Sequence, residues 1–290
     1  MAKLRHVIPA FFALLTPCMA STLWVTNGTS TIHLFDSATG TATGTITAPA
    51  SITRIAAYNG NAYLLDIQNN NVYEYSAAGT ETGLFVSGAS SSQYDAEDIA
   101  FGPDGNLYIS LGISNEVVEY SSTGSYIGVF GTGPSTGSHS LDGIAFGGGN
   151  VYVADFQGKR VLQYASAGGT PTVLATLSNS PDSLAFGNNG DLYATAAGAV
   201  YDVTTSSNLS NSGFSGTLRG LEFEGDGYAY VAGQGGSGVY RVSASGGTAA
   251  VFASLGSAVD FAFVATPEPG TVLLCLTCLA LTPALRARRQ

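Results

Sequence analysis

The sequence predicts an all-β chain folded as a six-bladed β-propeller of four-stranded blades. Three observations predict it. A short segment recurs along the chain, one aromatic residue marks each recurrence, and the two ends of the repeat are out of phase. The recurring segment is clearest at Asp98-Ile-Ala-Phe-Gly-Pro-Asp-Gly-Asn-Leu-Tyr, and it returns from Asp142 and from Asp182. Weaker copies begin at Arg54 and Arg219. The marks are Trp24, Tyr63, Tyr108, Tyr152, Tyr193 and Tyr230, spaced 39, 45, 44, 41 and 37 residues apart. A period near 40 residues suits one four-stranded blade per unit.

Each unit reads as four strands. In the third, Ile99–Phe101 meets a Gly/Asp/Asn turn at 102–106, and Leu107–Leu111 follows. Val117–Tyr120 and Tyr126–Phe130 complete it. Gly, Asn and Asp supply the positive φ of tight hairpins. The first two strands are almost wholly apolar, as expected of sheets covered on both faces by neighbouring blades. The domain begins at Thr22-Leu-Trp-Val-Thr, which matches a second strand, and ends at Val259–Val264, which matches a first strand. The C-terminal strand, about 257–264, is therefore expected to complete the N-terminal blade. Such closure removes the free edges that make sheets aggregate.

Composition limits the functional classes. Of 290 residues only 10 % are charged, and the formal net charge is −10. Five of the ten basic residues (Lys3, Arg5, Arg286, Arg288 and Arg289) lie near the ends. The middle keeps Arg54, Lys159, Arg160, Arg219 and Arg241 against almost all 20 acids. Nucleic-acid binding is excluded, because phosphate neutralisation needs clustered Lys and Arg. The three cysteines, Cys18, Cys275 and Cys278, also lie near the ends, so no disulfide is expected in the domain. The Cys275/Cys278 spacing falls within an apolar run and has no second pair to complete a zinc site.

The ends read as targeting segments. Residues 1–20 carry Lys3 and Arg5, then an apolar Val7–Leu15, then small Cys18 and Ala20 before Ser21. This is the order of a secretory signal peptide cut between Ala20 and Ser21. Residues 265–290 carry Pro267-Glu268-Pro269, an apolar Thr271–Leu285, and Arg286, Arg288 and Arg289. The apolar stretch of 15 residues is shorter than the ~20 that cross a bilayer comfortably. The arginines favour a cytoplasmic end under the positive-inside rule.

These three parts in this order resemble the PEP-CTERM sorting signal of Gram-negative bacteria that make exopolysaccharide. The resemblance implies export, transient insertion in the inner membrane, and removal of the tail by an exosortase-type processing enzyme. It implies a final location at the cell surface or in the extracellular matrix. Pro283 within the apolar run departs from a stable span, since it would kink a helix. Residues 21–264 form the expected propeller. Asn150-Val-Tyr-Val-Ala-Asp-Phe-Gln-Gly-Lys-Arg-Val-Leu-Gln-Tyr164 resembles an NHL repeat, as does Gly105–Tyr120. The fifth and sixth units fit that pattern less well. The Gly-His and Trp-Asp marks of WD repeats are absent.

Candidate chemistry is sparse. Asp98, Asp142 and Asp182 recur before the first strand of units three to five, with Arg219 and Asp260 at related positions. In a propeller this places them near the channel mouth. Short polar residues that start a strand and solvate the channel need no cofactor, and this reading is preferred; the alternative is three converging carboxylates that bind Ca²⁺ or another hard cation. Asp104-Gly105, Asn189-Gly190-Asp191 and Asp226-Gly227 read as turns. Asp155, Lys159 and Arg160 read as a turn with an exposed salt bridge. His33 and His139 are isolated, and no catalytic residues are assigned. No nucleophile elbow is present. The sequence thus favours a non-catalytic binding or scaffold module, facing polysaccharide or a surface protein. The alternative is a metal-dependent propeller hydrolase or lyase resembling lactonases or NHL-type lyases. Fold alone does not separate them.

Overall fold

Alternating apolar residues broken by Gly, Asn and Asp dictate hairpins, and the computed structural model is built of these. It describes residues 21–266 apart from 94, so the signal-peptide segment with its Ala20 cut site and the Pro267–Arg289 sorting motif lie outside the described residues. Residues Ser21–Thr266 form one unit of 24 strands in six four-stranded sheets. Among the described residues no strand of one sheet pairs with a strand of another; one isolated bridge joins Gly131 to Gly169, which lies outside the strands.

The first blade comprises β1 (Ser21–Thr26), β2 (Thr31–Asp36), β3 (Ala42–Thr47) and, innermost, β24 (Asp260–Ala265). The second runs outward through β4 (Arg54–Tyr58), β5 (Asn61–Asp66), β6 (Asn71–Ser76) and β7 (Glu81–Val86). The third holds β8 (Ala96–Phe101), β9 (Leu107–Leu111), β10 (Glu116–Tyr120) and β11 (Tyr126–Thr132). The fourth holds β12 (Leu141–Gly147), β13 (Asn150–Asp155), β14 (Arg160–Ala165) and β15 (Thr172–Thr176). The fifth holds β16 (Pro181–Phe186), β17 (Leu192–Ala196), β18 (Ala199–Asp202) and β19 (Ser207–Ser210). The sixth holds β20 (Thr217–Phe223), β21 (Tyr228–Gln234), β22 (Gly238–Ser243) and β23 (Ala250–Ser254).

The closure expected from the phase of the repeat is present. β24 pairs antiparallel with β1, from Ser21 opposite Ala265 to Thr26 opposite Asp260. The ring is thus tied between its first and last strands. Turn chemistry sets the hairpins. Asn59 and Gly60, at φ 49° and 77°, close β4 on β5 as a two-residue loop with both φ values positive, the twist that matches paired strands.

The core lies between blades rather than within them. Six apolar clusters each span one blade interface. The marking aromatics explain the repeat physically. Each Tyr of a second strand meets a Phe of the next blade's innermost strand: Tyr63 with Phe101 at 4.5 Å and Tyr108 with Phe146 at 5.0 Å. Tyr152 with Phe186, Tyr193 with Phe223, and Tyr230 with Phe263 continue the series at 5.2, 5.0 and 4.9 Å. Only Trp24 differs, meeting Tyr75 at 6.3 Å. Geometry of this kind adds about 1 kcal/mol per pair beyond area burial. The turn acids serve the same residues, since Tyr108 and Tyr230 donate to Asp104 and Asp226.

A second device recurs at the rim. The turn between the third and fourth strands of a blade presses on the outermost strand of the preceding blade. Gly124 (φ 78°) abuts the Phe85 carbonyl, and Gly168 (φ 74°) abuts that of Phe130. Any Cβ there would collide with backbone, so these positions need glycine for space as well as for φ.

Candidate functional site

The six innermost strands border the central channel, and their first residues set its mouth. Four of them carry a β-bulge at that point. Asp142 and Gly143 of β12 together oppose one residue of β13, as do Asp182 and Ser183 of β16 opposite β17. Arg219 and Gly220 do the same on β20, and Glu97 is the extra residue of β8. β4 and β24 pair without a break. A bulge adds one residue and re-aims its side chains.

The register corrects one expectation. Asp98, Asp142 and Asp182 are not equivalent by strand pairing. Asp98 shares its position with Arg54 and Asp260, whereas Asp142, Asp182 and Arg219 share theirs with Glu97. Two rings of side chains therefore meet at the mouth, offset by one residue.

Arg54 organises them. Its Nη2 lies 3.1 Å from Asp182 Oδ1 and its Nε lies 3.6 Å from Asp98 Oδ1. Arg219 Nη1 pairs with the other oxygen of Asp182, and its Nε donates to Gln234 Oε1 at 3.0 Å. Asp98 Oδ2 accepts from the Ile144 amide of the next blade at 2.9 Å, and Asp260 Oδ2 accepts from Ile55 N at 2.9 Å. These carboxylates cap edge N–H groups that the innermost strands leave unpaired. Asp142 accepts from Ser140 Oγ at 3.1 Å. Buried Thr195 accepts from Ser183 N at 3.0 Å and donates to Arg219 O at 2.8 Å, joining two bulges.

The electrostatics follow from burial. Desolvation pushes Asp98 up to about 6 even though Arg54 pulls it down. It pushes Asp260 up to about 7, and Asp142 up to about 8 with Glu97 and Asp182 adding repulsion. Burial also raises Glu97. For Arg54, burial works against the charge, but Asp182, Asp260, Asp98 and Asp142 outweigh it and its pKa rises. Its guanidinium stays ionised and supplies positive charge at the mouth beside Arg219.

The sequence-predicted cation ligands are therefore drawn together only in part. Asp98 and Asp182 meet through Arg54, while Asp142 turns to Ser140. Among the described residues no group of three or more His, Cys, Asp or Glu side chains is arranged to hold a metal ion. A guanidinium between two carboxylates does not fit a Ca²⁺ site, which needs oxygen ligands on all sides.

Beyond the mouth lies a channel cavity of about 360 Å³, walled mainly by Ile, Leu, Ala and Phe from all six innermost strands. Glu222 stands where the other five strands have Ala56, Ala100, Ala145, Ala185 and Ala262. Burial and Glu224 beside it raise Glu222 well above the usual carboxylate range. Sequence reading missed Glu222 and Glu97. The break in the alanine column was the available signal for the first.

Other expected groups lie elsewhere. His33 sits on β2, where burial lowers its pKa, and His139 precedes β12; neither lines the cavity. The Asp155–Arg160 bridge, expected to be exposed, is instead built on a fully buried Asp155. Arg160 Nε reaches it at 2.7 Å, and Ser140 N and Gly158 N donate to it at 3.0 and 2.9 Å. Asp155 caps the turn from inside, so the bridge belongs to the blade core.

The closed ring of four-stranded blades defines a six-bladed β-propeller. No family model matches the sequence, and no curated protein matches it. Solved structures do match. A protein of unknown function from Bacteroides caccae aligns with TM-score 0.65 and 15 % identity over 84 % of this chain and 99 % of that one. A chain of a nidogen/laminin complex aligns with TM-score 0.67 and 15 % identity over 84 % and 98 %. Streptogramin B lyase aligns with TM-score 0.53 and 13 % identity over 75 % and 70 %. At these identities the likeness is one of fold.

Proposed function

We propose that this chain is an exported bacterial protein of the cell surface or exopolysaccharide matrix, with its propeller serving as a non-catalytic binding module. The observation that carries the non-catalytic reading is the Arg54–Asp182 ion pair. The mouth of the channel, where a metal-dependent hydrolase or lyase would gather its ligands, holds the chain's own guanidinium. The export reading rests on the order of the terminal segments. The Pro-Glu-Pro element begins at Pro267, two residues after β24 ends at Ala265. An exosortase-type enzyme would thus cut immediately beyond the strand that closes the ring, leaving the propeller whole.

Mass spectrometry of the protein from its native host tests this. The expected mature chain begins at Ser21 and ends near Pro267–Pro269. An intact Arg289-Gln290 on surface-located protein would overturn the processing reading. A metal-dependent turnover lost in the Asp98, Asp142 and Asp182 to Ala triple variant, with the fold retained, would replace the binding module by an enzyme.

A further inference from the structure

We infer that an open groove between the second and third blades binds a neutral polysaccharide chain. This deepens the binding-module reading and rests on it. The groove has a volume of about 700 Å³, within the range of small-ligand sites. It runs along β10, and Glu116, Val118 and Tyr120 form one side of it. From Glu116 to Tyr120 the strand rise gives a length of about 13 Å, longer than a single sugar ring.

The lining has the chemistry that sugars require. Tyr126 is 57 % exposed, the most exposed large aromatic among the described residues, and Leu84 opposite it is 50 % exposed. The Tyr126 ring is held edge-on by the buried Tyr120, with centroids 5.3 Å apart and planes at 63°. It is thus a fixed apolar platform for the C–H face of a pyranose. Ser87 and Glu116 also line the groove. Their side chains make no hydrogen bond among the described residues, so acceptors and a donor stand ready for ring hydroxyls.

Charge selects a neutral polymer over an acidic one. No Lys or Arg lines the groove, and its one charged residue is Glu116. Elsewhere Arg54, Arg160 and Arg219 are paired with aspartates, and Arg241 lies over Tyr228 and Phe252 at 4.9 and 5.2 Å. Lys159 is in the fourth blade and lines a different pocket. A polyuronate would meet like charge in the groove and a chain of net charge −10 around it.

Affinity electrophoresis of the full chain tests the assignment. The probes are dextran and guar galactomannan as neutral polymers, and alginate as an acidic one. Retardation by a neutral polymer and none by alginate is expected. Tyr126→Ala should weaken retardation at least about tenfold with unchanged thermal melting, and Glu116→Gln should weaken it less. Preference for alginate, or no retardation by either neutral polymer, would overturn the site. Equal retardation of Tyr126→Ala and the parent would overturn the groove while leaving a glycan-binding module in place. Sedimentation velocity covers a second occupant: a dimer lost on Tyr126→Ala would make the groove a self-association surface. The processing experiment above is independent, so the groove and the surface-protein reading fail separately.

Discussion

Arg54 of the second blade and Asp182 of the fifth, on opposite sides of the six-bladed ring, meet across the channel mouth with Nη2 and Oδ1 3.1 Å apart. The pair links blades that are neighbours neither in sequence nor in the ring. Removing one partner of a buried pair leaves an uncompensated charge. Arg54→Met is expected to cost about 3 kcal/mol at pH 8. At pH 5 the loss should be smaller, because Asp98, Asp142 and Asp260 are then largely neutral. Urea unfolding at the two pH values measures both. An equal loss at the two would separate Arg54 from these carboxylates.

The same guanidinium governs metal response. Adding Ca²⁺ to about 1 mM, the weak end of protein affinities, should leave the melting temperature of the parent chain unmoved. Arg54→Gln removes the guanidinium shared by Asp98 Oδ1 and Asp182 Oδ1, leaving Arg219 on the other Asp182 oxygen, so its melting temperature should rise with Ca²⁺. A rise in the parent would place a cation at the mouth beside Arg54.

Stability should fall as pH rises through neutrality. Asp98, Asp142 and Asp260 have folded-state pKa values of about 6, 8 and 7, above the ordinary aspartate value. Between about pH 4 and pH 8 the folded state therefore holds more protons than the unfolded chain, and its stability declines with pH. Melting near pH 5 should exceed melting near pH 8.5 by on the order of 5 °C. The difference should shrink in Asp142→Asn. A flat or rising profile over this window would contradict the buried-carboxylate assignment.

Ring closure concentrates stability in a strand far from the start of the chain. Phe263 of β24 is 8 % exposed and packs on Tyr230 at 4.9 Å and Phe261 at 6.0 Å. Phe263→Ala should cost about 3 kcal/mol in chemical denaturation. It should also expose the 257–266 segment to protease. A loss below about 1 kcal/mol would mean that the ring holds without this joint.

Two glycines of similar φ separate conformational strain from close approach. Gly190, at φ 83°, has open space where a Cβ would be, while Gly124, at φ 78°, faces the Phe85 carbonyl. Gly190→Ala should cost about 1 kcal/mol, the left-handed penalty alone. Gly124→Ala should cost at least about 2 kcal/mol more, because the third blade must move off the second. Equal losses would remove the inter-blade role of the turn.

The fold was legible because its determinants are local and repeated. The interval between Tyr63, Tyr108, Tyr152 and their equivalents records one blade, and the pairing of each Tyr with the next blade's Phe keeps it. The site was less legible. Asp98 and Asp142 look alike in sequence because each precedes an Ile-Ala-Phe run, directly for Asp98 and one residue earlier for Asp142. A single added residue separates them, and only strand pairing shows which strands carry it. Burial of Asp155 was hidden for a related reason, since a turn motif does not state which neighbours cover it.

The sequence alone determined the number of blades, the closing strand and the acidic balance of the chain, since period, phase and charge are properties of order and composition. The tertiary structure decided that Arg54 and Asp182 meet, that four innermost strands bulge, and that Glu222 stands in a column of alanines. Residues 128 positions apart become neighbours only when the ring closes. Coulomb attraction acts over ångströms in space and leaves no periodic trace along the chain.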